Sequence, residues 1–500
     1  MRAMKKICLV MGAMLCATQV HADTNAVRTL TLEQAIEMAL ERNLDVQISR
    51  LTPLIDRFTL EGSYGAYDAS LNFSGKQIFN DSPGSFNPTT GFNNSPSISD
   101  EQFFKAELGA PGGGGMLTPW GMTYDLSSQM DRLRPLGKDD QFRPTFTFAL
   151  DQPLLKNFWI DTTRRDILVN KKNLKFDELG LRLQIISTVT ATEEAYYALV
   201  ASFGTVQVQE KAVQLAQQLV NENLRKVEVG TLAPLDEKQS ESQLASSQAD
   251  LLAARQALSA QEDVLRGLVT DDFRGLHSTL LVPAEPLRAP KEEFDLQQSW
   301  KNGMTGRPDL LQAKVNLEKQ DIVLRFQKNQ LFPSLDLIGS YGRTGSEKTP
   351  STALGDIENE RFPNYYFGAA LSIPLGNRTA RNNYKATKAQ IQQLLLKYKQ
   401  LEETILIQIQ DTIGQAQSSF ERSRATRQAR EYAEMALEAE QKKMAAGKST
   451  SFQVLQLQRD LTTARSAEIQ ALADYNKFLA ELSKNEGSTL ERHNLNVKIQ

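Results

Sequence analysis

From Asp161 to Val229 the chain contains no proline, and its only glycines there are Gly180 and Gly204. Ile185, Thr192, Leu199, Val206, Val213, Val220 and Val227 recur through this stretch at heptad spacing. That is the seam of a coiled coil. At ~1.5 Å per residue, the helix it predicts is roughly 100 Å long. Leu244, Leu251, Leu258 and Leu265 repeat the spacing on a return stretch, making a helical hairpin over about 161–268. Leu457, Ala464, Ala471 and Phe478 mark the return arm of a second hairpin over about 377–483. Two hairpins of this length do not fit an ordinary globular domain. They predict either a solvated coiled-coil tether or the wall of a hollow assembly.

The sequence is also written twice, and an internal repeat governs the fold of any chain that has one. Asp45 aligns with Asp309, Ser70 with Ser334, Leu71 with Leu335 and Gly75 with Gly339 at one offset. Gly230 with Gly447, Leu244 with Leu461 and Leu265 with Leu482 follow at a shorter one. The first copy spans 23–290 and the second 291–485, with a polar tail at 486–500. The change of offset means that the first copy carries extra residues. They fall mainly in 80–142, where Gly, Pro, Asn and Ser are frequent, as in turns.

Each copy opens with a helix: "TLEQAIEMALERN", with Thr31 as its N-cap, and "FDLQQSWKNGM". A further helix leads into strands at about 69–80 and 143–152 in the first copy, and 334–342 and 364–374 in the second. Leu71 and Phe73 fall on one face, Asn72, Ser74 and Lys76 on the other. Phe146, Phe148 and Leu150 alternate with Thr145 and Thr147, and Tyr365, Phe367, Ala369 and Leu371 with smaller residues. A half-buried sheet in a soluble domain is one reading of such alternation. Strands of ~9–11 residues, joined to very long helices, favour a membrane barrel.

The N-terminus supports export. Arg2, Lys5 and Lys6 precede the apolar run "ICLVMGAMLCA", and residues 1–22 read as a secretory signal ending at Ala22. Cys8 and Cys16 both lie within it, so the mature chain has no cysteine and no disulfide. The net charge of −3 becomes more negative once the signal's three cations are gone, which gives no sign of nucleic-acid binding. No mature run of ~18 apolar residues exists, so a membrane would be crossed only by a barrel.

The order of "LTLEQAIEMAL…RNLDV", its echo "RPDLLQA", the strand entrance "LFPSLDL", the junction "IPLGNRTARNNYKA" and the paired hairpin tips resembles the TolC-like outer-membrane efflux protein family, an outer membrane factor family, over nearly all the mature length. The resemblance implies an α+β membrane protein with two internal structural repeats. It implies a homotrimer in which a shared outer-membrane β-barrel continues into a long periplasmic α-helical coiled-coil barrel. A passive exit duct follows, set in outer-membrane lipid and needing no cofactor. Its partners would be a periplasmic adaptor (membrane fusion protein) and an inner-membrane RND, ABC or MFS transporter.

In that family the hairpin tips dock the adaptor and gate the pore. The matching tip residues are Val229, Gly230 and Thr231, and Ala446, Gly447 and Lys448. Both glycines fit a helix C-cap, where positive φ is needed. The gate implied by the resemblance comprises Asp236, Lys448, Gln453 and Gln456. Glutamines stand at 453 and 456 where the family's best-known member has aspartates, so a cation block is not expected. Lys448 either pairs with Asp236 or is a solvated tip residue.

Gly447-Lys448-Ser449 also echoes a phosphate-binding loop, but such a loop needs a glycine where Lys442 stands and a preceding strand. "GAPGGGGM" at 109–116 lacks the Lys-Ser/Thr pair and reads as a turn. The mature histidines, His277 and His493, lie far apart, and no catalytic or metal site is expected. Within the insertion, Phe104, Ala106 and Leu108 alternate with Lys105 and Glu107, and Met122, Tyr124 and Leu126 with Thr123 and Asp125. An additional β-hairpin is expected there. Its expected place is at or above the outer rim, which keeps the barrel at four strands per protomer. Besides small-molecule efflux, two readings stay open: the exit of a type I protein secretion system, and a pore-less structural coiled-coil protein.

Overall fold

The computed structural model describes residues 27–84, 86–89, 91–93, 97–110, 115–135, 139–230, 233–277 and 279–495. The expected signal at 1–22, Thr231, most of the glycine run after Gly109 and the last five residues lie outside the described residues.

The chain begins with β1 (Val27–Leu30), α1 (Leu32–Arg42) and α2 (Leu44–Ser63). Thr31 caps α1 reciprocally: its hydroxyl accepts from the Gln34 amide at 3.3 Å, and the Gln34 side chain accepts from the Thr31 amide at 3.2 Å. Seven strands follow: β2 (Ser70–Ser82), β3 (Phe86–Asn87), β4 (Phe92–Asn93), β5 (Ser97–Gly109), β6 (Met116–Leu117), β7 (Thr123–Pro135) and β8 (Gln141–Pro153). The first long hairpin is α3 (Thr162–Glu228) with α4 (Pro234–Val269). Then come α5 (Phe273–His277), β9 (Leu280–Pro283), α6 (Leu296–Gly306) and α7 (Pro308–Asn329). β10 (Ser334–Thr344), α8 (Pro350–Glu358) and β11 (Pro363–Ser372) precede the second long hairpin, α9 (Arg378–Ala445) with α10 (Ser451–Glu486). The chain ends in α11 (Thr489–Arg492). The hairpin arms match in size, 67 and 36 residues against 68 and 36. No helix among the described residues is long and apolar enough to cross a membrane.

Two compact units result, and each takes segments from both sides of the boundary expected at 290/291. Unit one holds residues up to Leu44, 191–291 and 416–478. Here β1 pairs with β9 in parallel. Leu30, Ala35, Tyr196, Leu199, Leu265 and Leu281 form a core around that pair. Tyr196 is itself buried, and its hydroxyl donates to the Leu30 carbonyl at 3.1 Å, so the ring packs without an orphaned polar end. The seam residues Thr192, Leu199, Val206 and Val220 are buried, as the heptad spacing requires.

Unit two holds 45–190, 292–415 and 479–500. Leu310, Ile405, Ile409, Ile413 and Leu482 make its helical core, and Trp300 Nε1 donates to the Leu406 carbonyl at 3.1 Å. Its sheet runs β11-β10-β8-β7-β5-β2, antiparallel at each pairing in that path, with β6 appended to β7. Register sets the faces, because side chains alternate along each strand. One row reads Leu71, Leu108, Leu126, Phe148, Tyr341 and Tyr365 across all six strands. The row on the opposite face reads Asn72, Glu107, Ser127, Thr147, Gly342 and Asn364. The sheet is thus apolar on one side and polar on the other over its whole width.

Two expectations need correction. The inserted hairpin, β5 with β7, does not stand at a rim. It lies between β2 and β8, and β5 pairs with β2 along the full strand, from Ser70↔Gly109 to Ser82↔Ser97. Sequential strands pair as neighbours, and the hairpin's apolar side chains extend the apolar face of the flanking strands. Nor is 486–500 only a polar tail. Gly487 (φ +75°) reverses the chain after α10, and α11 then buries Thr489 and Leu490. Arg492 Nη1 ties it down through Ser483 Oγ at 2.8 Å and the Leu479 carbonyl at 3.2 Å.

Candidate functional site

The two long-hairpin turns lie in the same compact unit. At the second, Gly447 takes φ +71°. Its amide donates to the Met444 carbonyl at 3.0 Å, and the Lys448 amide to the Lys443 carbonyl at 2.9 Å. This pair of bonds is a Schellman closure, which satisfies carbonyls left open at the end of α9. At the first turn Gly230 takes φ +76°, and its amide donates to Val227 at 2.9 Å. Pro234 then starts α4 at a position that needs no amide donor. Charges complement the helix ends: Asp236 and Glu237 begin α4, while Lys442 and Lys443 end α9.

Val229, Gly230, Ala446, Gly447 and Lys448 are all exposed, as are Gln453 and Gln456 in the first turns of α10. Asp236 is half-buried. Among the described residues no ion pair joins Asp236 to Lys448 within the chain. Gln456 Nε2 donates to Asp460 Oδ1 at 3.1 Å. The glutamine stripe therefore ends, one helical turn farther on, in an exposed carboxylate that sequence reading passed over. Exposed apolar side chains surround the turns: Val229, Leu235 and Phe452 are 72%, 67% and 58% accessible.

Beneath the turns, Leu219, Leu437, Val454, Leu455 and Leu461 form a small core. A polar contact sits beside it. Asn223 is fully buried and its Oδ1 accepts from Ser451 Oγ at 3.0 Å, tying the start of α10 to α3. Asn223 falls three residues after Val220, at a core position of the seam. A polar residue there specifies register at some cost in stability, and this was the signal in the sequence. Ser449 Oγ donates to Glu440 Oε1 at 2.5 Å, and Lys443 Nζ lies 2.9 Å from the same carboxylate. That hydroxyl and then the ammonium hold the Glu440 carboxyl below its usual pKa. A cleft of about 560 Å³ between α3, α4 and α10 is lined by polar side chains including Gln243, Ser247, Asp250 and Arg459. Arg459 closes one side through a contact to Gln243. Among the described residues no group of three or more His, Cys, Asp or Glu could hold a metal.

The sequence profile of the outer membrane efflux protein family matches residues 304–488, from the end of α6 to the turn before α11. No curated protein sequence is similar enough to match the chain. Solved structures share its fold. The Campylobacter jejuni CmeC outer membrane channel superposes with a TM-score of 0.67 at 13% identity, covering 92% of this chain and 86% of that one. A membrane protein from Pseudomonas aeruginosa gives 0.68 at 15% identity, covering 91% and 92%. The Vibrio cholerae outer membrane protein VceC gives 0.66 at 16% identity, covering 91% and 96%. Residues 304–488 match the outer membrane efflux protein family, and the chain as a whole shares the fold of the solved outer-membrane channels.

Proposed function

We propose that the chain is the passive outer-membrane exit duct of a tripartite efflux system, carrying small molecules from an inner-membrane transporter to the exterior. One observation carries this reading. A sheet with a six-strand path, apolar on one face and polar on the other, leaves both edges, β2 and β11, without a strand partner among the described residues. In lipid every backbone donor and acceptor must be satisfied, so such a sheet needs closure. Head-to-tail pairing of β11 with β2 of the next copy closes a ring, and three duplicated copies then share one barrel. The long hairpins continue it into the periplasm. There the exposed Val229, Leu235 and Phe452 beside the glycine turns meet an adaptor, and Asp236, Lys448, Gln453 and Gln456 surround the entrance. Energy comes from an RND, ABC or MFS transporter, for the duct itself has no chemistry to perform.

The six-strand width favours a second cargo, since a wider barrel passes bulkier molecules. Under this reading the chain ends a type I protein secretion system. Removing the chain from its own cells decides between them. Small-molecule efflux predicts raised accumulation of a fluorescent dye, restored by re-expression. Normal dye accumulation, with an exported protein retained inside the cell, would favour secretion.

A further inference from the structure

We infer that the inserted hairpin is channel wall and sets the charge of the lumen, so that the duct prefers cations. The inference rests on the trimeric duct proposed above. Three observations place the hairpin in the wall. Its strands are 13 residues each, like β2 and β8, and pair with them over almost the whole length. Its apolar rows are continuous with theirs: Gly75, Phe104, Met130 and Pro144 align in one row. And the Phe104 ring covers Gly75 so closely that an added Cβ would sit 3.3 Å from it. A hairpin hanging free above a rim has no use for such a fit.

Placing the apolar face in lipid puts the other face of the same strands in the lumen. There β5 and β7 present Glu101, Glu107, Asp125 and Asp131 against a single cation, Lys105. On the same face the other four strands carry Lys76 and Arg143 against Asp151 and Asp336, which balance. The insertion alone therefore makes the lumen wall acidic, by three formal charges per chain. Lys105 is already committed to Glu107 at 2.6 Å. Glu101 is exposed, and Asp131, opposite Arg143 in the β7–β8 register, accepts from a neutral amide, Gln129 Nε2 at 2.6 Å. Fixed charge of one sign in a low-dielectric passage concentrates counter-ions, and rings of carboxylates select cations. With six strands per copy a trimer has eighteen, and barrel diameter grows with strand number. The hairpin thus widens the passage while biasing it toward cationic solutes.

Reversal potentials in planar bilayers under a salt gradient test this. The trimeric protein should pass cations in preference to anions, and Glu101→Gln with Asp131→Asn should cut that preference by about twofold or more. Asp100→Asn, on the apolar side of β5, should leave it unchanged. An unchanged preference in the double variant, or a loss in Asp100→Asn, overturns the inference while leaving the duct intact. Trimers that conduct nothing overturn the duct and this inference with it. Single cysteines test the wall without touching a carboxylate. Lys105→Cys should react only with a water-borne reagent and Phe104→Cys only with a lipid-phase probe. Reaction of both from water sinks the proposal.

Discussion

Gly447 offers a clean test of how the hairpin tip is held. Its φ of +71° is one that side chains with a Cβ avoid, yet an added Cβ would meet nothing within 4 Å. The cost of substitution is therefore backbone conformation alone, ~1–2 kcal/mol for a residue held left-handed. Asn, which tolerates this region, should cost least, Ala more, and β-branched Val most. The Schellman bonds from Gly447 and Lys448 weaken accordingly, and the end of α9 frays. A loss of one to two kcal/mol multiplies the open population by about 5–30. Lys442, Lys443 and Lys448 flank the turn, so trypsin reads that population directly when opening is faster than cleavage. Cleavage should quicken in the order Gly, Asn, Ala, Val. Equal rates in Gly447→Val and the parent protein, or Asn as fast as Val, would refute the reasoning.

Other perturbations follow from the same geometry. Ser451→Ala strands the buried Asn223 carboxamide, at a cost of about 1–3 kcal/mol; urea unfolding should show it, and adding Asn223→Leu should recover most of the loss. Gln453→Asp would set three carboxylates around a symmetric entrance, and single-channel current should become sensitive to divalent cations; current indifferent to them would mean that residue 453 does not line the pore. Asp177 has its pKa raised to about 6, by burial first and then by the hydrogen bond and charge shared with Asp56. The folded state thus holds this proton more tightly than the unfolded chain, whose carboxyl titrates near ~3.9. Stability contributed by the bound proton is full below the unfolded value and is lost as pH rises toward the folded one. Asp177→Asn should therefore raise the melting temperature at pH 7.5 and give a shrinking gain as pH falls from 6 toward 4; a gain that grows on acidification would contradict this.

Local signals in the sequence carried much of the fold. Thr31 with Gln34 announces a capping box, and the Ile185-to-Val227 heptad announces the seam, because both are written within a few residues of one another. Strand positions were legible from alternation in "SLNFSGKQ" and "PTFTFAL". The place of the β5–β7 hairpin was not, since pairing partners are chosen by edges and faces that no local window contains. β1 and β9 are four residues each, too short to alternate visibly, and they exist because they pair with each other across the chain. At the tips, glycine gave away both turns. Asn223 could have been found from its seam position, but its partner Ser451 lies in the other hairpin.

The central claim is that separate copies close one barrel through their β2 and β11 edges. No cysteine follows Cys16 in the sequence, so Ser74→Cys and Tyr366→Cys, on these two edge strands, can be introduced together in a chain whose Cys8 and Cys16 are replaced by Ser. Treating outer membranes with a short flexible bifunctional thiol reagent should give covalent dimers and trimers, with the ladder stopping at three. A product confined to the monomer, its two cysteines bridged within one chain, would mean that the sheet closes on itself and would contradict the account.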